Sequence, residues 1–343
     1  MALKLKNDAE LNGWTFEPAF KENLNVCGIP IYGVGLSANH PEFGEMIGAA
    51  ASIGDSPDDR AYFELCERIT IIENIKKGPD SCFEIRDLEG VSRSLRRASD
   101  VFGKEVFEHP PESKFQLSKS NGIALHDSWE DACYGAAKEA LERHHILNSW
   151  LGRVKPKLID HPRESGLANL KDLYEVSYYL LGHSTVETLD ESFFTVVAYF
   201  KPKSEKIDEI PVLYAFACEK TLDLAIRKAE LELTQRLCFL WDEEIPKKEP
   251  DFMANPYYHQ EFYLLPKNIN ILDFWLEGSF GGSEVYANKE CISFEFAELR
   301  SDSFPQYYIA KALSDQTIDL FFGVKDDDVW GKLNDLQKIH PIP

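Results

Sequence analysis

Two segments of the sequence share one spacing of charged residues. They read Glu64-Leu65-Cys66-Glu67-Arg68 and Glu139-Ala140-Leu141-Glu142-Arg143. In a helix, residues three and four apart lie on one face, so each segment presents two carboxylates and a guanidinium together. Carboxylate oxygens are the hard ligands magnesium takes, and they bridge the ion to nucleotide phosphates. Arginine and lysine then offset the remaining phosphate charge. The two segments therefore suggest two facing helices that hold magnesium and a nucleotide.

Each segment follows a serine-capped helix start, Ser56-Pro57-Asp58-Asp59 and Ser128-Trp129-Glu130-Asp131. Serine is a favoured N-cap and proline is pre-organised for the first helical position. In the second helix Trp129, Ala132, Cys133, Ala136, Ala137, Ala140, Leu141 and Leu147 recur with helical period and mark the buried face. Asp131, Gly135, Glu139, Glu142 and Arg143 fall on a different side, with Gly135 as an open floor between carboxylates. A third helix has an apolar stripe of Leu222, Ile226, Ala229, Leu233 and Leu237. Its Lys228, Glu232 and Gln235 fall together elsewhere. A plainer reading stays open. Pairs such as Glu64 with Arg68 often decorate a solvated helix face at about 0.3 kcal/mol each, and Asp131 suits a cap. The readings differ over metal, because clustered carboxylates without a cation repel one another.

The elements that must position these residues follow from patterning. Helices are expected at 57–72, 88–102, 129–151, 169–181, 222–240 and 327–337. Strands are expected at 28–36, 191–200, 210–218, 290–298, 304–312 and 317–323. Ser120-Asn121-Gly122 forms a turn leading to the long helix. Residues 109–115 and 152–165 read as loops, and the prolines make 339–343 an extended tail. Strands and helices alternate without a regular βαβ rhythm, so the class is α+β. The expectation is one domain over 1–343, with a nucleotide-binding core at about 25–240 and a C-terminal part at 250–343. The loop 241–256 is the best candidate boundary.

Composition narrows the functions. Net charge is −21, which disfavours phosphate backbones and anionic membranes as partners. Seven scattered cysteines without C-x-x-C spacing indicate reduced thiols in the cytoplasm, with Cys66 and Cys133 packing as small hydrophobes. No stretch approaches the ~20 apolar residues of a membrane helix. Gly33-Val34-Gly35-Leu36-Ser37-Ala38 matches a dinucleotide fingerprint, but Asn39-His40-Pro41 breaks the helix that must follow. Adjacent His144 and His145 point apart and read as structural. Asp326-Asp327-Asp328 reads as a solvated helix cap.

Taken together, the residues resemble the YcaO family. The likeness lies in the strand Gly28-Ile29-Pro30-Ile31-Tyr32 and the two E-x-x-E-R helices. It continues in Ser120-Asn121-Gly122, Asp131-Ala132, the run His144-His145-Ile146-Leu147 to Trp150, and an A-x-x-E-x-x-Q core at Ala229, Glu232 and Gln235. The resemblance implies a YcaO-like fold with ATP and Mg2+ as cofactors, and activation of backbone amides in a ribosomally made peptide, as in bacteriocin biosynthesis. It implies metal ligation by Glu64, Glu67, Asp131, Glu139, Glu142 and Glu232. Nucleotide binding would fall to Arg68, Asp127, Arg143, Lys228 and Gln235. Azoline-forming members often end in P-x-P-x-P. Here Ile339-His340-Pro341-Ile342-Pro343 keeps the last two prolines, which places Pro341 and Pro343 in catalysis and favours cyclodehydration of Cys, Ser or Thr. The alternatives are thioamide formation with a sulfide-supplying partner, and a non-catalytic accessory of the ribosomal-protein methylthiolation type. Expected partners are a precursor peptide and a protein that delivers it, of leader-recognition or Ocin-ThiF-like kind, with a homodimer as one assembly.

The sequence departs from the family at several positions. Arg60 stands in place of Ser, Asp127 of Asn, Asp131 of Glu and Lys228 of Arg. Ser52-Ile53-Gly54 replaces G-K-G, and Ile339 replaces the first tail proline.

Overall fold

A computed structural model describes residues 10, 12–108, 113–160, 166–280, 289–323 and 339–342. The expected helix at 327–337, the Asp326–Asp328 run and Pro343 lie outside the described residues. In chain order the first strands are β1 (Thr15–Phe16), β2 (Phe20–Val26), β3 (Ile29–His40) and β4 (Gly44–Ile53), followed by helix α1 (Asp58–Lys76). Next come β5 (Cys82–Arg86), β6 (Ser92–Arg97), α2 (Ala98–Phe102), α3 (Glu105–Glu108), β7 (Phe115–Leu117), β8 (Ile123–His126) and the long α4 (Trp129–Trp150). Then follow β9 (Lys157–Leu158), β10 (Tyr174–Val186), β11 (Glu191–Pro202), β12 (Leu213–Glu219) and α5 (Leu222–Leu240). The rest comprises α6 (Pro256–Leu264), α7 (Ile269–Leu276), β13 (Glu290–Ile292), β14 (Glu295–Leu299), β15 (Tyr308–Leu313) and β16 (Phe321–Gly323). The class is α+β, as the patterning indicates.

The chain forms two compact units. The first takes residues 1–107, 119–140 and 294–314, and the second takes 108–118, 141–293 and 315–343. The chain passes back and forth between them, and one division falls inside α4, between Ala140 and Leu141. No single cut separates the units, which is why no linker composition marks a boundary. The loop at 241–256 lies wholly within the second unit.

In the first unit, β3 pairs with β4 on one side and with β2 and β1 on the other, all antiparallel. A second antiparallel sheet has the order β6-β5-β14-β15-β8. Helix α1 approaches β4 closely at Gly48, where an added Cβ would lie 2.3 Å from the Ala61 carbonyl. Its buried face, with Leu65 and Ile69, packs into one cluster with Phe83, Ile85, Phe304 and Ile309. In the second unit, β12-β11-β10-β13 form the main sheet, and α5 covers β12 and β11. Its core joins Trp150, Tyr263, Trp275, Phe321 and Ile342.

Several elements differ from the sequence expectation. Residues 88–102 are not one helix: β6 runs antiparallel to β5, and only 98–102 are helical. The turn before β6 uses Gly90 at φ 78, and Leu95 is exposed, so no buried stripe existed to hold a helix. Residues 174–186 form strand β10, paired along their length with β11 through a turn at Asp190 (φ 50). Tyrosines and β-branched residues favour that pairing, and a short apolar run does not reveal its period. Strand β8 intervenes between the Ser120–Gly122 turn and α4. The run 290–298 splits, with β13 parallel to β10 and β14 antiparallel to β15. Helices α6 and α7 fall where no element was expected.

Candidate active site

In the first unit three carboxylates lie near enough for their charges to act on one another. Glu67 interacts with both Glu139 and Glu64. Burial raises the Glu67 carboxyl well above its ordinary range, and the charges of Glu139 and Glu64 raise it further. A hydrogen bond from the Leu125 main chain and the charge of Arg68 oppose that shift only in part. Glu139 accepts the Ile123 N–H at 2.9 Å. Glu64 accepts the Ala49 N–H at 2.9 Å and pairs with Arg68 at 2.6 Å.

The donors have a common origin. Strands β8 and β4 each end a sheet, so one row of their N–H groups lacks a strand partner. Ile123 and Leu125 are two apart on β8, and alternate residues of a strand present N–H on the same edge. The helix carboxylates take up these edge donors. Sequence reasoning could not find them, because a main-chain donor leaves no mark in residue type.

The second unit repeats the device with different neighbours. Burial raises the Glu142 carboxyl, and the Arg143 charge lowers it. Glu232 raises it, while Lys228 and the Cys218 main chain lower it. Arg143 lies 2.9 Å from Glu142, and Lys228 lies 3.0 Å from Glu232. Cys218 belongs to β12, which ends its sheet. Gln235 is half-buried one helical turn beyond Glu232.

Other expected site residues fall as follows. Asp131 is exposed in the first turn of α4: the Ser128 hydroxyl caps the helix by accepting the Asp131 N–H at 3.1 Å and donates to its carboxylate at 2.6 Å. Asp127 is exposed just beyond β8, close enough for its charge to act on Tyr307. Gly135 is not an open floor. An added Cβ there would lie 2.6 Å from the Ala124 Cβ, so the glycine lets β8 pack against α4. Ser56 does not cap α1. Its hydroxyl donates to Asp58, and Pro57 holds the cap position without a side-chain bond. Arg60 donates to the Ala51 carbonyl of β4, beside the Ala49 N–H that Glu64 takes. His144 and His145 are buried and structural. His144 bonds Glu290 at 3.0 Å, and His145 bonds Thr195 and Ser184 at 2.7 Å each. Cys66 and Cys133 are fully buried, and burial pushes the Cys66 thiol up to about 12. Pro341 is buried.

The donor set suits magnesium in kind: carboxylates, with cations beside them. Among the described residues no three such groups already converge as a coordination sphere. Glu64 and Glu139 are instead engaged by the edge N–H groups.

The family model described as YcaO cyclodehydratase, ATP- and Mg2+-binding, matches residues 102–316. The chain belongs to the YcaO family. That stretch contains β8, all of α4 and all of α5, and so carries Glu139, Glu142, Lys228 and Glu232. Solved structures agree on the fold. The YcaO protein of Methanopyrus kandleri, bound with AMPPCP and Mg2+, is 14% identical and aligns over 91% of this chain and 89% of its own, with TM-score 0.58. The E. coli microcin synthetase McbBCD complex contains a chain 14% identical that aligns over 96% of both, also with TM-score 0.58. No curated protein matches the chain in sequence. Among the described residues no helix is long and apolar enough to cross a membrane.

Proposed function

We propose that the protein is an ATP- and Mg2+-dependent enzyme that activates backbone amides of a ribosomally made peptide. The observation that carries this reading is the trio Glu64, Glu67 and Glu139. Burial raises the Glu67 carboxyl, and the charges of Glu139 and Glu64 raise it further. Such a cluster is costly without a cation and well suited to one. The family's ATP- and Mg2+-binding description and the bound AMPPCP and Mg2+ of the Methanopyrus relative support the same assignment.

In this reading Glu64, Glu67, Glu139, Glu142 and Glu232 hold magnesium, and Asp131 serves the helix cap. Arg68, Arg143 and Lys228 offset phosphate charge, and Asp127 and Gln235 contact the nucleotide. Bound Mg-ATP supplies the phosphoryl group that turns an amide oxygen into a leaving group. The thiol or hydroxyl of a peptide Cys, Ser or Thr would lose its proton as it adds to the preceding amide carbon, the former carbonyl oxygen would take the phosphoryl group with release of ADP, and phosphate would depart as the amide N–H proton is lost, leaving the C=N bond of an azoline. The charged residues stabilise the negative charge that develops on the transferring group.

The tail supports cyclodehydration over thioamidation. Ile342 packs in one cluster with Ile146 of α4, one turn beyond Glu142, and the Arg143 charge acts on His340. Pro341 and Pro343 are the tail residues assigned to catalysis. A precursor peptide and a partner that delivers it complete the proposal, consistent with a fold shared with a subunit of a synthetase complex.

Product mass tests the chemistry. Cyclodehydration removes about 18 Da per ring, whereas oxygen-to-sulfur exchange adds about 16 Da. The non-catalytic reading draws on Arg60 and Asp127, which depart from the family. Calorimetry with Mg-ATP separates it, because an accessory protein shows no binding heat. That outcome would overturn the enzyme assignment.

A further inference from the structure

The C-terminal residues 339–342 are fastened within the second unit by two buried histidines. The His340 ring is almost wholly enclosed. Its Nε2–H donates to the Phe321 carbonyl, and its Nδ1 accepts the Ile342 N–H at 3.3 Å. The His340 carbonyl accepts from Nδ1 of His259 at 2.9 Å. Nε2 of His259 accepts the Gly323 N–H at 3.2 Å, which fixes its tautomer. Tyr263 donates its hydroxyl to the Ile339 carbonyl, and the Ile342 side chain is fully buried with Ile146, Leu147 and Trp150. Each ring thus joins the tail or strand β16 at both of its nitrogens.

A chain terminus with no such ties samples many conformations. Proline restricts φ and so limits that freedom without any partner. This chain has Ile339 at the first position of the P-x-P-x-P pattern, and the restriction is lost there. The hydrogen bonds of His340, His259 and Tyr263 surround that same position.

We propose that His340 and His259 are positioning residues that hold the C-terminal tail in the conformation used for amide activation, in place of the missing proline. This rests on reading the tail as part of the active site. Neither ring need touch substrate. Each acts through the backbone of residues 339–342.

The experiment compares the unsubstituted protein, a Pro343 deletion, His340→Ala, and the double variant, all with peptide and Mg-ATP. The expected result for His340→Ala is a peptide-dependent kcat reduced about tenfold or more, with the dissociation constant for Mg-ATP changed less than about twofold. In the Pro343-deleted background the same substitution adds less than about twofold, because it acts through the tail. His340→Gln, which can still reach the Phe321 carbonyl, recovers part of the loss, and His259→Ala resembles His340→Ala. Should His340→Ala fail to fold, His340→Gln and His259→Ala decide the matter in the same backgrounds. Unchanged turnover in the histidine variants, alongside an impaired Pro343 deletion, overturns the positioning role. A histidine effect that persists undiminished without Pro343 also overturns it and assigns His340 to general stability. Full activity of the Pro343 deletion sinks the tail reading itself.

Discussion

Glu67 and Glu142 hold the same place in the repeated E-x-x-E-R segment, yet they sit among different charges. Burial raises both carboxyls. For Glu67 the next influences are two more carboxylates, Glu139 and Glu64. For Glu142 the next influence is the guanidinium of Arg143, followed by Glu232 and then Lys228. The charges acting on Glu67 are those of two carboxylates and one arginine, whereas those acting on Glu142 are of one carboxylate and two cations. One motif therefore builds two environments. The first is dominated by like charge, which a metal ion would offset. The second is balanced and suits a partner that brings both a cation and an anion, such as Mg-ATP.

Breaking the first group should have the largest effect. Glu139→Gln is expected to lower peptide-stimulated ATP hydrolysis by about 100-fold or more, read by steady-state phosphate release. A loss under threefold would remove Glu139 from the site. In the balanced group, Lys228→Met should raise the KM for ATP about tenfold while leaving kcat within about threefold. If kcat falls instead, the lysine acts on the transition state rather than on bound nucleotide.

A smaller effect sharpens the contrast through pH. The Glu67 carboxyl lies above its ordinary value near 4.5 in the folded protein. Between that value and its raised one, the folded state binds more protons than the unfolded state. Stability of the metal-free protein therefore falls as pH rises through that window. Glu67→Gln should remove this slope and raise the metal-free melting temperature at pH 8 by about 2 °C, while abolishing the gain from added Mg2+. Magnesium affinity of the unsubstituted protein should rise with pH, since binding expels a proton. A magnesium-induced stabilisation that survives in Glu67→Gln would move the ion elsewhere. The smallest change belongs to Asp131→Asn, which keeps a capping side chain. It should cost under about 1 kcal/mol and leave turnover intact, and a large activity loss would return Asp131 to the metal.

Much of this was legible in residue order. The apolar stripe of α4 is buried as its period requires, and α5 spans Leu222–Leu240 behind a Thr221 cap. Ser128 caps α4 by accepting the Asp131 N–H, as its position predicts. The thiols of Cys66 and Cys133 are buried, and His144 and His145 are structural. The failures share a cause. Residues 88–102 and 174–181 carry patterns compatible with a helix, and their pairing with β5 and β11 made them strands. Sheet pairing joins residues distant in sequence, so no local window contains it.

By itself, the sequence determined the family, the acidic helices and the residue types able to hold a magnesium nucleotide. Those follow from helical periodicity and ligand chemistry, which are local. Only the tertiary structure decided how the carboxylates are grouped. Glu139 and Glu142 are three residues apart on one helix, yet Glu139 joins Glu67 and Glu64, whereas Glu142 joins Arg143, Lys228 and Glu232. It also supplied the Ile123, Leu125, Ala49 and Cys218 main-chain donors, and the two histidines that hold the tail. Electrostatic interaction depends on distance through space, and an edge strand's spare N–H groups exist only once the sheet has formed.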